Sequence, residues 1–302
     1  MKASLKELRQ ALMHGSISKK AVVEMIQRKE IGEQELVVEK KNGREYYKAS
    51  PEIIIKMIEL VGGKRIMKKD NNGNTTFHAA IQYKASIEIV MKFMEIGGRK
   101  LIMMKAGKRG WTSLHSACMY KSPTEVIMKM IELGGRELLM EKDVYGWTAL
   151  HNAFEYKIPA EVIMKMIEVG GKQLVMEKDN VGNKTALQLA CEHEASTEII
   201  MKMIELGGQE LVTEKNTRGN TALHYACFKN LSTKIITKLI ELGGQELVKE
   251  KNKYGCTPAL YHGCGHEECK ASPEFIMNSA SFLRDNVNEI VVGKSNFQQG
   301  MH

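Results

Sequence analysis

The sequence predicts an all-α protein, a solenoid of repeated helix pairs joined by short hairpin-like connectors. A glycine that precedes a phrase related to Thr-x-Leu-His recurs at intervals of 37, 36, 36, 37 and 36 residues. Each interval holds two apolar patterns with helical spacing, and the second pattern ends at a Gly-Gly pair. The recurring glycines are Gly73, Gly110, Gly146, Gly182, Gly219 and Gly255.

The first helix of each unit is expected to begin at a threonine, because a threonine oxygen can accept from the free N–H groups of the first turn. We expect about nine residues, with small side chains such as Ala149, Ala153 and Ala190 turned inward so that neighbouring helices approach closely. The expected capping threonines are Thr112, Thr148, Thr185 and Thr221.

The second helix is expected to run from a proline or serine to the double glycine. Its apolar residues lie on one helical face, as in the stretch 126–131. Gly134 and Gly135 are expected to stop it, and residues 138–140 are expected to form a turn or hairpin-like connector with buried anchors. The starting residues are Pro123, Pro159, Ser196 and Ser232.

The ends of the chain depart from the repeat, as terminal units of a stack do. At the N-terminus we expect two helices, at about residues 4–13 and 18–28. The expected divisions are an N-terminal helical cap at 1–43, the repeat array at 44–255, a degenerate C-terminal capping repeat at 256–284 and a flexible tail at 285–302.

Composition limits the classes of protein to which the chain can belong. The 302 residues are 43% hydrophobic and 26% charged, as in a folded soluble protein, and no stretch reaches the length of a signal peptide or a membrane span. The net charge of +8 suggests an acidic partner, but the lysines alternate with glutamates, which favours a solvated outer face. Cys118, Cys191 and Cys227 share one repeat position, so we expect buried thiols in a reducing compartment, cytoplasmic or nuclear.

The phrase Gly-x-Thr-Ala-Leu-His-x-Ala, followed by a Glu-x-Ile-x-x-Met-Ile-Glu helix, resembles the ankyrin repeat. It is clearest at 110–117, 146–153 and 219–226, and the likeness extends over roughly 70–260. The family period is about 33 residues, so each unit here is longer, in the turn between its helices and in its connector. Lys184 is a further insertion, and Gln188 stands where other units have histidine. The resemblance implies a non-catalytic scaffold for protein binding.

Side chains next to the repeated glycine vary while the framework stays constant. In ankyrin-like proteins the connector tips and first helices form the concave binding face, and Trp, Tyr and Arg supply most binding energy at interfaces. The two tryptophans of the chain occupy equivalent places, although they could instead pack on each other and cover the stack. The predicted partner-binding residues are Arg109, Trp111, Tyr145, Trp147, Asn152, Glu155, Arg218, Tyr225 and Phe228.

Two further sets of residues, each called a column here, occupy equivalent positions in successive repeats. The resemblance implies that the histidines bridge backbone groups between neighbouring units, and a ladder of identical sites is not expected of a catalyst. The residues that end the first helices could bind a peptide, but we favour a role in closing the helix. The histidines are His78, His115, His151 and His224, and the helix-end residues are Tyr83, Tyr120, Tyr156, His193 and Lys229.

A cluster near the C-terminus has ligand types that suit zinc, at His262, Cys264, His266 and Cys269. Its spacing matches no standard zinc finger, so we favour a degenerate capping loop and expect no cofactor. The predicted function is therefore non-catalytic binding of an unidentified protein partner by a monomer through its concave face. The alternative is a basic solenoid that binds nucleic acid or another acidic surface, which a steep salt dependence would reveal.

Overall fold

The computed structural model describes residues 5–18, 21, 24–25, 38–41 and 44–260. The chain divides into two compact units, Met1–Val144 and Tyr145–His302. The predicted tail, nearly all of the predicted C-terminal capping repeat and its Cys/His cluster lie outside the described residues. Most of the second helix expected in the N-terminal cap also lies outside them.

The first unit begins with helix α1 and a small antiparallel sheet of strand order β1-β3-β2. Ser16 pairs with Lys48, and Lys41 pairs with Arg44. The sequence between the last pair is Asn-Gly, the dipeptide most typical of a two-residue hairpin. The sheet is an addition to the predicted helical cap. Its elements are α1 (Leu5–His14), β1 (Ser16–Ile17), β2 (Val38–Lys41) and β3 (Arg44–Lys48).

Helix pairs fill the rest of the first unit. Helix α4 packs on α6 and α5 packs on α7, so that first helices stack on first helices and second on second. Helices α2 and α3 precede these pairs and are separated at Gly62. The helices are α2 (Pro51–Val61), α3 (Gly63–Ile66), α4 (Thr76–Gln82), α5 (Ile87–Ile102), α6 (Ser113–Met119) and α7 (Thr124–Met140).

The second unit repeats the same arrangement. Helix α8 packs on α10 and α10 on α12, while α9 packs on α11 and α11 on α13. The predicted class, an all-α solenoid of helix pairs, is thus confirmed within each unit. The helices are α8 (Ala149–Glu155), α9 (Ala160–Val175), α10 (Ala186–Glu192), α11 (Thr197–Val212), α12 (Ala222–Phe228) and α13 (Thr233–Lys249), followed by a 3₁₀ turn (Pro258–Leu260).

The first helices are seven residues long and begin as the sequence predicts. Thr185 is the N-cap of α10, and its Oγ1 accepts from the Gln188 N–H at 3.2 Å. The other predicted threonines cap their helices too. Ala153 and Ala190 are fully buried, which lets adjacent first helices lie close together.

The second helices bury the predicted stripe but continue beyond the double glycine, so the expected stop at Gly134 and Gly135 is only partly right. Gly135 has φ 59° and ψ −155°, which bends α7 without ending it. Residues 138–140, expected to form a hairpin-like connector, are helical and reach Met140. The reason is packing, because Leu138 and Leu139 are fully buried and the bend turns them toward the core.

The true connectors are tight loops that an Asp or Asn side chain closes. Asn216 Oδ1 accepts from the N–H groups of Arg218 at 2.9 Å and Asn220 at 3.0 Å. Such a side chain competes well for backbone donors in turns. The same position, three residues before the repeat glycine, is held by Asp70, Gly107, Asp143, Asp179, Asn216 and Asn252, so only Gly107 lacks a side-chain acceptor.

The three cysteines expected to be thiols are free and buried. Burial raises the pKa of Cys118 and of Cys227 to about 12, and it raises that of Cys191 as well. Among the described residues, no helix is both long and apolar enough to cross a membrane.

Candidate binding cleft in the first unit

A cleft of about 320 Å³ opens on the first-helix side of the first unit. Its walls come from α4, from the loop that precedes α6, and from α6 itself. Two of the predicted binding residues, Arg109 and Trp111, therefore lie together in one concavity. The remaining lining residues were not predicted, apart from the helix-end Tyr120 and the column histidine His78; the others are Asn74, Gln82, Ala106, Gly107, Lys108, Ser116 and Met119.

Trp111 is held from both its backbone and its side chain. It forms an antiparallel bridge with Ala106, in which the two N–H···O distances are 2.7 and 3.1 Å. Its indole Nε1 donates to Asp143 Oδ2 at 3.0 Å. The indole is half-buried, so part of it remains available at the cleft while its position is fixed.

Arg109 lies over the ring of Trp111, with its Cζ 5.0 Å from the ring centroid. This distance is within the range of a cation–π interaction, which restrains the guanidinium above the indole. Arg109 and its neighbour Lys108 are both exposed. The rim of the cleft therefore presents two adjacent positive charges beside a fixed aromatic ring.

Gly107 forms the part of the wall where the other repeats carry a turn-closing side chain. Its φ is +62°, and a Cβ at this position would lie 3.3 Å from Asn74 Oδ1. The glycine thus permits the left-handed turn, keeps the wall thin and leaves out the carboxylate or amide found elsewhere.

His78 lies at the inner wall and is a structural residue. The Thr75 hydroxyl lies 2.7 Å from His78 Nδ1, and the ring is 4% exposed. Burial is the main cause that lowers the pKa of His78 to about 4, so the ring is neutral at neutral pH. A neutral ring that is engaged by the capping threonine is a poor candidate for acid–base chemistry.

The second unit shows the bridging role of the histidine column most completely. His224 Nδ1 accepts from the Thr221 N–H at 3.1 Å, and His224 Nε2 lies 3.2 Å from the Cys256 carbonyl oxygen. Because Nδ1 accepts, the proton sits on Nε2 and is donated to that carbonyl. Gln188 does the same work, since its Nε2 donates to the carbonyl oxygen of Asn220 at 3.1 Å. The predicted bridging role is confirmed here.

Most of the other predicted binding residues lie at the surface of the second unit. Tyr145 is 45% exposed, and Arg218 is exposed. Glu155 is exposed and its Oε2 is 3.1 Å from His193 Nε2. Trp147 and Phe228 are half-buried. The ring of Trp147 lies 6.3 Å from that of His151, and Lys229 Nζ lies 5.4 Å from the ring of Phe228.

Asn152 and Tyr225 are corrections, because both are interior residues with 2% and 3% exposure. They were predicted to bind a partner, but they face into the stack from α8 and α12. The Tyr225 hydroxyl accepts from Asn216 Nδ2 at 2.9 Å, and Lys184 Nζ lies 5.4 Å from its ring. Burial raises the pKa of Tyr225, as expected for a phenol surrounded by protein. Neither side chain can touch a partner directly.

The helix-end residues close the first helices, as favoured from the sequence. Tyr120 is the C-cap of α6, and the following Lys121 is left-handed with φ 52°. Lys84, Lys157 and Glu194 adopt the same conformation after their own first helices. Tyr120 differs in also lining the cleft, so here the structural position contributes to a surface.

No group of three or more His, Cys, Asp or Glu side chains that could hold a metal ion occurs within the part of the chain that the structure describes. The cluster at residues 262–269 lies beyond it, so its assignment as a degenerate capping loop stays a prediction.

Comparison with known proteins agrees with the fold. Residues 163–251 match the family model for ankyrin repeats (3 copies). No curated protein sequence matches the chain. Among solved structures, the ankyrin repeat domain of Bcl-3, a unique member of the IkappaB protein family, is similar at 20% identity with a TM-score of 0.53, over 76% of this chain and 92% of that one.

A second solved structure is the predatory endopeptidase Bd0816 from Bdellovibrio bacteriovorus in complex with the immunity protein Bd3460. It aligns at 18% identity and a TM-score of 0.48, over 74% of this chain and 98% of that one. The repeated Gly-x-Thr-x-Leu-His phrase, the stacked helix pairs and the family match agree with one another. Residues 163–251 are therefore ankyrin repeats, and the fold of the chain is similar to that of an ankyrin repeat domain.

Proposed function

We propose that the chain is a non-catalytic scaffold that binds a protein partner through the face formed by its first helices and loops. Ankyrin repeats are in general modules of protein–protein interaction, because the stack presents variable side chains on a constant frame. The contact is proposed to centre on the cleft of the first unit.

The observation that carries the proposal is the pairing of Arg109 with Trp111 at 5.0 Å in a concave site. Arg and Trp are the residue types that most often dominate binding energy. Here the bonds from Ala106 and Asp143 already fix the indole. Little conformational freedom remains to be lost on binding, so more of the contact energy appears as affinity.

Affinity capture from a cell extract, read out by quantitative mass spectrometry, tests the proposal. Arg109→Glu is compared with wild type and with Lys253→Glu, since both side chains are exposed, carry the same charge and lie just before a repeat glycine. We expect Arg109→Glu to lose captured proteins that the control retains. Capture that is identical for all three proteins would rule out the cleft as the site.

A further inference from the structure

We propose that the cleft of the first unit recognises an acidic, extended segment of a protein. Carboxylates of the segment would meet Lys108 and Arg109, and an apolar side chain would enter beside Trp111 and Met119. This inference rests on the proposed function and specifies the chemistry of its partner.

The charge of the segments that build the cleft carries the argument. Residues 71–86 and 105–123 contain five Lys or Arg and not one Asp or Glu. The matching segments of the second unit are mixed in charge and contain Glu155, Glu192 and Glu194. The positive charges are Lys84, Lys105, Lys108, Arg109 and Lys121.

Most of these charges are not neutralised by the fold. Lys105 is paired with Glu141 at 2.8 Å. Within residues 44–260, in contrast, the ammonium groups of Lys84, Lys108 and Lys121 have no carboxylate within salt-bridge distance, and all three are exposed. In the second unit, Lys184 pairs with Glu192 at 2.6 Å and Lys229 pairs with Glu194 at 3.2 Å. A surface with unmatched charge of one sign favours a partner of the opposite sign.

Gly107 is the second, independent observation. The side chain absent there is the Asp or Asn that stands three residues before the repeat glycine in each of the other five repeats. With aspartate at this position, a carboxylate would stand in the wall of the cleft and repel an acidic ligand. Gly107 thus replaces the usual Asp or Asn in the loop that lines the cleft, and its lack of a side chain leaves the wall without a carboxylate and widens the space.

The geometry favours a peptide over a nucleic acid strand. Single strands bind by stacking bases on open aromatic faces. One face of Trp111 is already covered by the Arg109 guanidinium, and the indole edge is bonded to Asp143. A cleft of about 320 Å³ accommodates a side chain, and Lys108 and Arg109 in its lining can meet carboxylates next to that side chain.

Fluorescence anisotropy on the full chain tests the inference. The probe is a fluorescein-labelled peptide, Glu-Asp-Glu-Phe-Asp-Glu, and the comparison probes are its Gln/Asn analogue and a short DNA duplex. We expect the acidic peptide to bind, and binding to weaken several-fold when salt is raised well above roughly 0.1 M, where the screening length falls below about 10 Å.

The matched variants are Lys108→Glu/Arg109→Glu in the first unit and Lys251→Glu/Lys253→Glu in the loop before Gly255 of the second, which change the charge by the same amount. We expect the first to weaken peptide binding by roughly tenfold or more, equivalent to about 1.4 kcal/mol, and the second to change it less than about twofold. All four positions are exposed, so circular dichroism should show unchanged helix content. Lys108→Glu alone serves as a milder version that keeps Arg109 on its ring.

Three results would overturn the inference. Equal weakening by the two double variants would mean that only general charge is sensed. Equal binding of the Gln/Asn analogue at the cleft would refute the acidic preference while leaving protein binding standing. Tighter binding of the duplex, lost in Lys108→Glu/Arg109→Glu, would assign the cleft to nucleic acid, and the proposed function would fail with it.

Discussion

Leu138 fills the space that a side chain on Gly134 would need: an added Cβ would lie 2.5 Å from the Leu138 Cβ. Gly135 next to it has open space around its Cβ position but a φ of +59°. Two adjacent glycines therefore meet two different demands, one of room and one of backbone conformation. The same pairing of a glycine with the leucine four residues later recurs at Gly97, Gly170, Gly207 and Gly243.

A double-mutant cycle should separate these demands. Gly134→Ala and Gly135→Ala are each expected to lower the free energy of unfolding by about 1–3 kcal/mol, through overpacking in the first case and backbone strain in the second. Leu138→Gly, which also removes the Leu138 Cβ, should relieve most of the cost of Gly134→Ala but none of that of Gly135→Ala. Urea unfolding of the single and double variants measures the coupling, and equal coupling for both glycines would contradict the distinction.

The buried histidines predict acid lability. Burial lowers the pKa of His78 and His224 from 6.5 to about 4. Between these values the unfolded chain binds more protons than the folded one, so stability is complete above pH 6.5 and falls as the pH drops toward 4. Each histidine should account for about 3 kcal/mol of this loss. Urea unfolding between pH 7.5 and 4 measures it.

His224→Gln is the matched variant, since Gln188 already makes the equivalent bridge. We expect nearly unchanged stability at neutral pH and a shallower loss in acid. A pH profile that coincides with that of wild type would show that His224 does not contribute to the acid response.

Lys121 occupies a left-handed conformation, φ 52°, that glycine adopts with less strain. Lys121→Gly should therefore raise the free energy of unfolding by about 0.5–1 kcal/mol. Lys129→Gly, placed inside α7, is the control and should lower it by about 1 kcal/mol. Thermal unfolding compares them, and destabilisation by both would show that Lys121 makes contacts worth more than its strain.

The sequence predicted the frame of each repeat well. Thr185, the stripe at residues 126–131 and the bridging histidines follow from local rules of capping, periodicity and repetition, which act within a few residues. The two glycines were read as one stop signal because the rule for helix ends does not show where Leu138 will pack. That packing depends on the tertiary fold, and it turned an expected hairpin into helix.

Surface and interior were harder to separate within the first helices. Asn152 and Tyr225 were predicted to bind a partner because they lie on first helices, but a polar side chain can also lie in the interior when another residue satisfies it, as Asn216 does for Tyr225. The sequence also contains a sign of the cleft, but it lies outside the residues next to the repeat glycine that were compared between units. Gly107 breaks the run of Asp and Asn residues, and the break is visible in the sequence once the loop position is aligned.

Tyr225→Phe tests the correction at that residue. Removing the hydroxyl leaves the buried Asn216 amide without its acceptor, so the free energy of unfolding should fall by about 1–2 kcal/mol. Binding of the acidic peptide to the first unit should be unaffected. A loss of binding without a loss of stability would return Tyr225 to the set of contact residues.

The buried cysteines provide natural probes for transient local opening of the repeats. Cys118 lies in the first unit and Cys191 and Cys227 in the second, each enclosed and held as an unreactive thiol. An alkylating reagent can reach them only when the surrounding repeats open transiently, so labelling rates measure opening free energies locally. Mass spectrometry of the labelled peptides would then give a map of which repeats come apart first, without any engineered probe.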